Sequence, residues 1–187
     1  MLIYRIRGIF NTLLVRPNRL QESRLRRHAF IIASILGVTA NYLADRLTKI
    51  LALRYLSDGR VISFMKNTVV IALSENEGAF LGLGADWPVA IKYALFLVVP
   101  IAACFYGLYY AMFKETDRIR VILISTVVGG GLGNLVDRLF NGFRVVDFLN
   151  FGIGSLRTGV LNVADLSVTI GAVLLIVHEY RSGKKKA

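Results

Sequence analysis

The stretch 161-LNVADLSVTIGAVLLIVHEY-180 carries two signals at once. From Leu166 onward it is apolar enough to cross a bilayer, yet Asn162 and Asp165 stand near its start. Eighteen positions before Asp165, the run 144-RVVDFLNF-151 holds a second carboxylate, Asp147, between apolar residues. An ionisable side chain at membrane depth is costly, and it usually faces a bundle interior or a polar cavity. The stretch therefore sets up two expectations: a membrane-spanning helix bundle, and two aspartates with a task at its boundary.

Composition agrees with the first. Hydrophobic residues make up 55% of the 187, and the mean hydropathy is +0.58, too apolar for an ordinary soluble domain. A span needs about 20 mainly apolar residues. Four segments qualify: 29–43 with its flanks, 88–113, 119 to about 136, and 159 to about 180. The fold class expected is an all-α integral membrane protein of four transmembrane helices, with a small extracytoplasmic β-cradle between helices 1 and 2. Its parts are a basic leader (1–28), a transmembrane domain (29–180, with an external cradle at about 46–87) and a basic tail (181–187).

The formal net charge of +11 is unevenly placed. Four spans put segments 1–28, 114–120 and 181–187 on one side. With Glu179 beside the tail they hold 14 basic and 4 acidic residues, net +10, against 9 basic and 8 acidic elsewhere, net +1. The positive-inside rule puts the +10 side, with both termini, in the cytoplasm. The charge thus reports topology and contact with anionic membrane lipids. Nucleic acid is excluded as a partner, since no aromatic-basic platform accompanies the charge. The lone Cys104 forms neither disulfide nor zinc cluster, and His28 and His178 lack ligand spacing, so no metal and no cofactor are expected.

Within the leader, Leu2, Ile3, Ile6, Ile9, Phe10, Leu13 and Leu14 share one helical side up to Pro17, which predicts an interfacial helix. In 45–87, the Asp58-Gly59 turn and a β-branched run predict the cradle, and Trp87 suits the membrane interface. The link 137–158 predicts a short extended or re-entrant piece.

At the end of the third span, 127-VVGGGLGNLVDR-138 spaces Gly129 and Gly133, and Gly130 and Asn134, four apart. Small residues at that spacing let helices approach closely. Asn134 and Arg138 share a face, and Arg138 lies about 28 Å of helix rise past Ile119, at the outer surface. Asp137 points elsewhere and is assigned a structural role. Asp165 is six residues past Gly159, about 9 Å into the fourth helix, with Asn162 a turn earlier. A buried Asp165 bonded only to Asn162 or Arg138 is the competing reading. Asp147 favours the functional one, because its linker can fold back over the fourth helix. Two close carboxylates share a proton, which suits amide hydrolysis: one takes a proton from water while the other protonates the scissile group. Ser155 lacks a nucleophile elbow, and His178 sits at the opposite membrane face. Asp45 and Lys49, at i and i+4, read as a plain helix ion pair worth a few tenths of a kcal/mol.

Taken in order, "DRLTK", "NEGAF", "GGLGNLVDR", "VVDF" and "NVAD" across four spans resemble the lipoprotein signal peptidase family, signal peptidase II, from about Asn41 to Gly171. The resemblance implies that Asp147 and Asp165 are the catalytic aspartyl dyad. It implies that Asp45, Lys49, Asn76, Gly78, Ala79, Asn134, Arg138 and Asn162 shape or line the site. It further implies a bacterial inner-membrane location with the site near the extracytoplasmic face, and cleavage of prolipoproteins just before a diacylglyceryl cysteine. Neither metal nor cofactor is implied, and globomycin-type cyclic peptides are the implied inhibitors. Leu161 stands where the family usually has Phe, and Leu166 where a small residue is common; the long leader is not part of the family core. From another class, a proton-coupled membrane carrier would also use intramembrane Asp and Arg. It would spread them through several spans and show an inverted repeat; here they gather at one end.

Overall fold

The computed structural model describes residues 19–78 and 82–184. The leader helix expected over 1–17, Ala79 and the last three tail residues lie outside the described residues. Four helices are long and apolar enough to cross a membrane: α1 (Arg19–Leu56), α2 (Val89–Phe113), α3 (Arg118–Phe140) and α4 (Val163–Lys184). The solvent pattern of a soluble protein is inverted along them. Ile32, Ile35 and Leu36 are exposed on α1, while Ser34, Asp45 and Lys49 on the same helix are buried.

The first helix is longer than expected. Nothing between Asp45 and Leu56 breaks a helix, so α1 runs on through what reads as external chain, for 38 residues or about 57 Å. It stops at the Asp58-Gly59 turn, where Gly59 takes φ +81° and Asp58 Oδ1 accepts the Arg60 N–H at 3.0 Å. In α2, Pro100 lacks an N–H and crowds the carbonyl one turn back. The helix absorbs this as a π-turn over Ala94–Val98.

The cradle is also larger than expected. Strands β1 (Val61–Phe64) and β2 (Val69–Asn76) are joined by β3 (Val145–Ile153) and β4 (Leu156–Arg157) from the link between α3 and α4, in the order β1-β2-β3-β4. All pairs are antiparallel, and β2 and β3 pair Asn76 with Val145 and Ser74 with Asp147. The sheet therefore draws on both of the segments that the sequence is expected to place outside. One of its faces packs Phe148 against Ala52 and Leu56 at the C-terminal end of α1.

Within the bundle α3 lies against the other three helices. The glycines explain how. A Cβ on Gly129 would stand 2.7 Å from the Val38 carbonyl of α1, and one on Gly130 2.6 Å from the Ala164 carbonyl of α4. A Cβ on Gly133 would collide with the Asp45 carboxylate. The small-residue spacing thus brings α1 and α4 against adjacent faces of α3 at the level of the polar residues, with Gly133 touching both.

Candidate active site

Asp147 and Asp165 arrive from different elements. Asp147 sits on β3 and is 2% exposed. Asp165 is in the first turn of α4, because that helix begins at Val163 rather than near residue 159. It is therefore not about 9 Å into the helix, as the sequence suggests. The start of α4 is set by a reciprocal cap: Asn162 Oδ1 accepts the Asp165 N–H at 2.9 Å, and Asp165 Oδ2 accepts the Asn162 N–H at 3.1 Å. Each satisfies a helix-end donor for the other. Leu161 bonds to Phe148 and Leu149 through backbone groups at 2.7–2.9 Å, which ties the start of α4 to β3.

Asn162 is fully buried and joins the two aspartates. Its side-chain NH2 donates to Asp147 Oδ1 at 2.6 Å while its backbone N–H holds Asp165. Asp147 Oδ2 accepts from Asn76 at 3.2 Å, and Asp165 Oδ1 accepts from Asn134 at 2.8 Å. All four carboxylate oxygens thus face amide donors. Among the described residues, no Lys or Arg lies within ion-pair distance of either aspartate. Burial, and next the charge of Asp165, push the Asp147 carboxyl up to about 6, against the pull of its amide donors and of Lys49.

Behind the aspartates lies a buried ion cluster, which keeps the Asp45–Lys49 pair but corrects its reading as a plain helix ion pair. Asp45 is 0% and Lys49 1% exposed. Lys49 Nζ reaches Asp45 at 2.9 Å, Asp137 at 2.8 Å and Asn134 Oδ1 at 2.9 Å, one acceptor for each of its three protons. Arg46 reaches Asp137 at 2.7 Å and Asp45 at 3.1 Å. Two cations and two anions balance, and the remaining valences hold backbone: Asp45 Oδ1 accepts the Ala164 N–H at 3.0 Å, and Asp137 Oδ2 accepts the Val146 N–H at 3.1 Å. Since an ammonium only donates, Lys49 also turns the oxygen of Asn134 toward itself and its NH2 toward Asp165.

The remaining residues of the resemblance sit at the rim. Arg138 donates to the Gly78 carbonyl at 2.9 Å, and its guanidinium lies over the Phe96 and Phe143 rings at 5.8 and 6.0 Å. Asn76 Oδ1 accepts the Gly78 N–H at 2.9 Å. A cleft of about 480 Å³ opens from Asp147 past Asn76 and Glu77 to Gly82 and Asp86. The structure thus gathers every described residue that the resemblance names, joins to them Asp137, to which the sequence gives a structural role, and adds Arg46. Arg46 was missed because it stands one residue from Asp45, about 100° around the helix; only the length of its side chain brings it back.

The model of the signal peptidase (SPase) II family matches residues 37–181. A lipoprotein signal peptidase of Borrelia hermsii is 34% identical over 154 residues, 80% of this chain and 90% of its own. Those of Aquifex aeolicus and Geobacillus kaustophilus are each 34% identical, over 85% and 73% of this chain and 91% and 85% of theirs. A solved bacterial membrane enzyme superposes with a TM-score of 0.70 at 25% identity, over 82% of this chain and 91% of its own.

Proposed function

This chain belongs to the signal peptidase II family, and on that premise we propose that it removes the signal peptide of diacylglyceryl prolipoproteins with Asp147 and Asp165 as an aspartyl dyad. The observation that carries the proposal is the bridge through Asn162, which holds one aspartate by its side chain and the other by its backbone. Two carboxylates set among amide donors, with the cations spent on Asp45 and Asp137, can share one proton.

The raised carboxyl of Asp147 supports a pair that holds one proton between its two members. With that proton on Asp147, Asp165 is the ionised partner. Asp165 takes a proton from water as its oxygen attacks the carbonyl carbon, while Asp147 gives its proton to the carbonyl oxygen. In the second half, Asp165 passes its proton to the departing nitrogen, the C–N bond breaks, and Asp147 recovers a proton from the diol. The scissile bond is the one just before the lipidated cysteine. Arg138 and Asn76 steady the Gly78 segment along which the peptide lies, and globomycin-type peptides compete for the same cleft.

The experiment is cleavage of a diacylglyceryl prolipoprotein by purified protein. Asp147→Asn and Asp165→Asn should each insert, bind globomycin and lose turnover by at least about a hundredfold. The double variant should be little worse than either. Near-normal turnover by either single variant in folded protein would remove the dyad.

A further inference from the structure

At the end of the bundle away from the dyad, α1 and the α2–α3 link enclose a second cavity of about 480 Å³. Arg19, Glu22, Arg26 and Arg27 line it from one face of α1, opposite Thr116. Phe30, one turn further into the bundle, closes its floor and is 4% exposed.

The charges divide into used and unused. Arg27 donates to the Met112 carbonyl at 3.1 Å and so closes the end of α2. Glu115, also in the wall, is 4% exposed and accepts the Thr116 and Asp117 N–H groups at 2.7 and 2.9 Å. It also lies 3.8 Å from Arg120, so its negative charge stays in the wall, held by the backbone and by that guanidinium. Arg19 and Arg26 have no hydrogen bond or ion pair among the described residues. The lining presents three guanidinium groups against the carboxylates of Glu22 and Glu115, a surplus of one positive charge.

We propose that this cavity binds the head group of an anionic phospholipid. The phosphate lies between Arg19 and Arg26, and the glycerol backbone rests toward Phe30. Two features favour a lipid over a free anion. The cavity stands where a transmembrane helix passes into its charged end. Its charged mouth and aromatic floor also match a molecule that is ionic at one end and apolar at the other. Basic pockets between transmembrane helices are suited to anionic head groups on electrostatic grounds, and a guanidinium pair grips phosphate through paired N–H donors.

The test uses the full chain in neutral detergent, titrated separately with phosphatidylglycerol, phosphatidylethanolamine, phosphatidylcholine and inorganic phosphate. Adducts are read by native mass spectrometry and thermal unfolding. Phosphatidylglycerol should be retained one-to-one and raise the thermal midpoint, and the other three should be weaker by about tenfold or more. The Arg19→Gln/Arg26→Gln protein should lose that preference by about tenfold and keep its peptidase activity. The charge-matched Arg24→Gln/Arg181→Gln protein should keep the preference. Equal losses in both double variants would reduce the effect to general surface charge and overturn the site. Inorganic phosphate binding as tightly as phosphatidylglycerol, or phosphatidylethanolamine binding better, would overturn the assignment to anionic lipid.

Discussion

Asp137 accepts the backbone N–H of Val146 at 3.1 Å, so a carboxylate near the end of α3 fixes the residue directly before Asp147. Asp45 does the same for Ala164, directly before Asp165. Two acids thus position the backbone of two others, and Arg46 and Lys49 hold the first two together.

Removing one member of this cluster leaves buried charge unpaired. Asp137→Asn should destabilise the protein by about 3–5 kcal/mol, read as a lower thermal midpoint in detergent. Assayed below that midpoint, it should keep clearly more activity than Asp147→Asn, because Asp137 holds backbone and exchanges no proton. Full activity together with an unchanged midpoint would contradict the buried cluster.

Acidity gives a second test. Folding raises the Asp147 carboxyl above its ordinary value, to about 6. The stability gained from its neutral form is complete below the ordinary carboxylate range and is lost as pH rises through about 6. The thermal midpoint of Asp147→Asn relative to the parent should therefore be higher at pH 8 than at pH 4. For catalysis, kcat/KM reports the free enzyme and should fall as pH rises past this value. A profile flat from about pH 5 to pH 8 would deny Asp147 the role of acid.

Gly133 is the tightest point against the cluster, and Gly183 has nothing near its Cβ position. Gly133→Ala should displace Asp45, cost about 1–3 kcal/mol and lower turnover. Gly183→Ala should match the parent in both. Equal behaviour of the two variants would mean that the contact of α3 with Asp45 is unimportant.

The charge asymmetry predicts sidedness. Reporter fusions in the 114–120 link and at the C-terminal tail should read cytoplasmic, and a fusion at Asp58 external. A cytoplasmic reading at Asp58 would place the dyad on the wrong face.

The spans were legible because each is a run of apolar residues, a local property. The meeting of Asp147 with Asp165 was legible because a short link joins their segments. The start of α4 was readable in principle: Asn162 followed three residues later by Asp165 is a capping pattern, but the apolar count pulled the boundary toward residue 159. The composite sheet left no such trace. Pairing of β2 with β3 depends on partners that α2 and α3 bring together, and neither strand encodes that choice locally. The burial of Lys49 was hidden for a similar reason, since its second carboxylate, Asp137, belongs to another span.

The composite sheet also sets an order of assembly. Asn76 meets Asp147 across 71 residues of chain, and two whole spans lie between them. During synthesis β2 emerges with its partner edge open and stays so until β3 follows. A nascent chain that ends after α3 has Asp45, Lys49, Asn134 and Asp137 but neither member of the proposed dyad. On the proposed dyad, hydrolytic competence comes last, once the fourth helix has begun, and a chain that stops before that helix is no protease in the membrane it is entering.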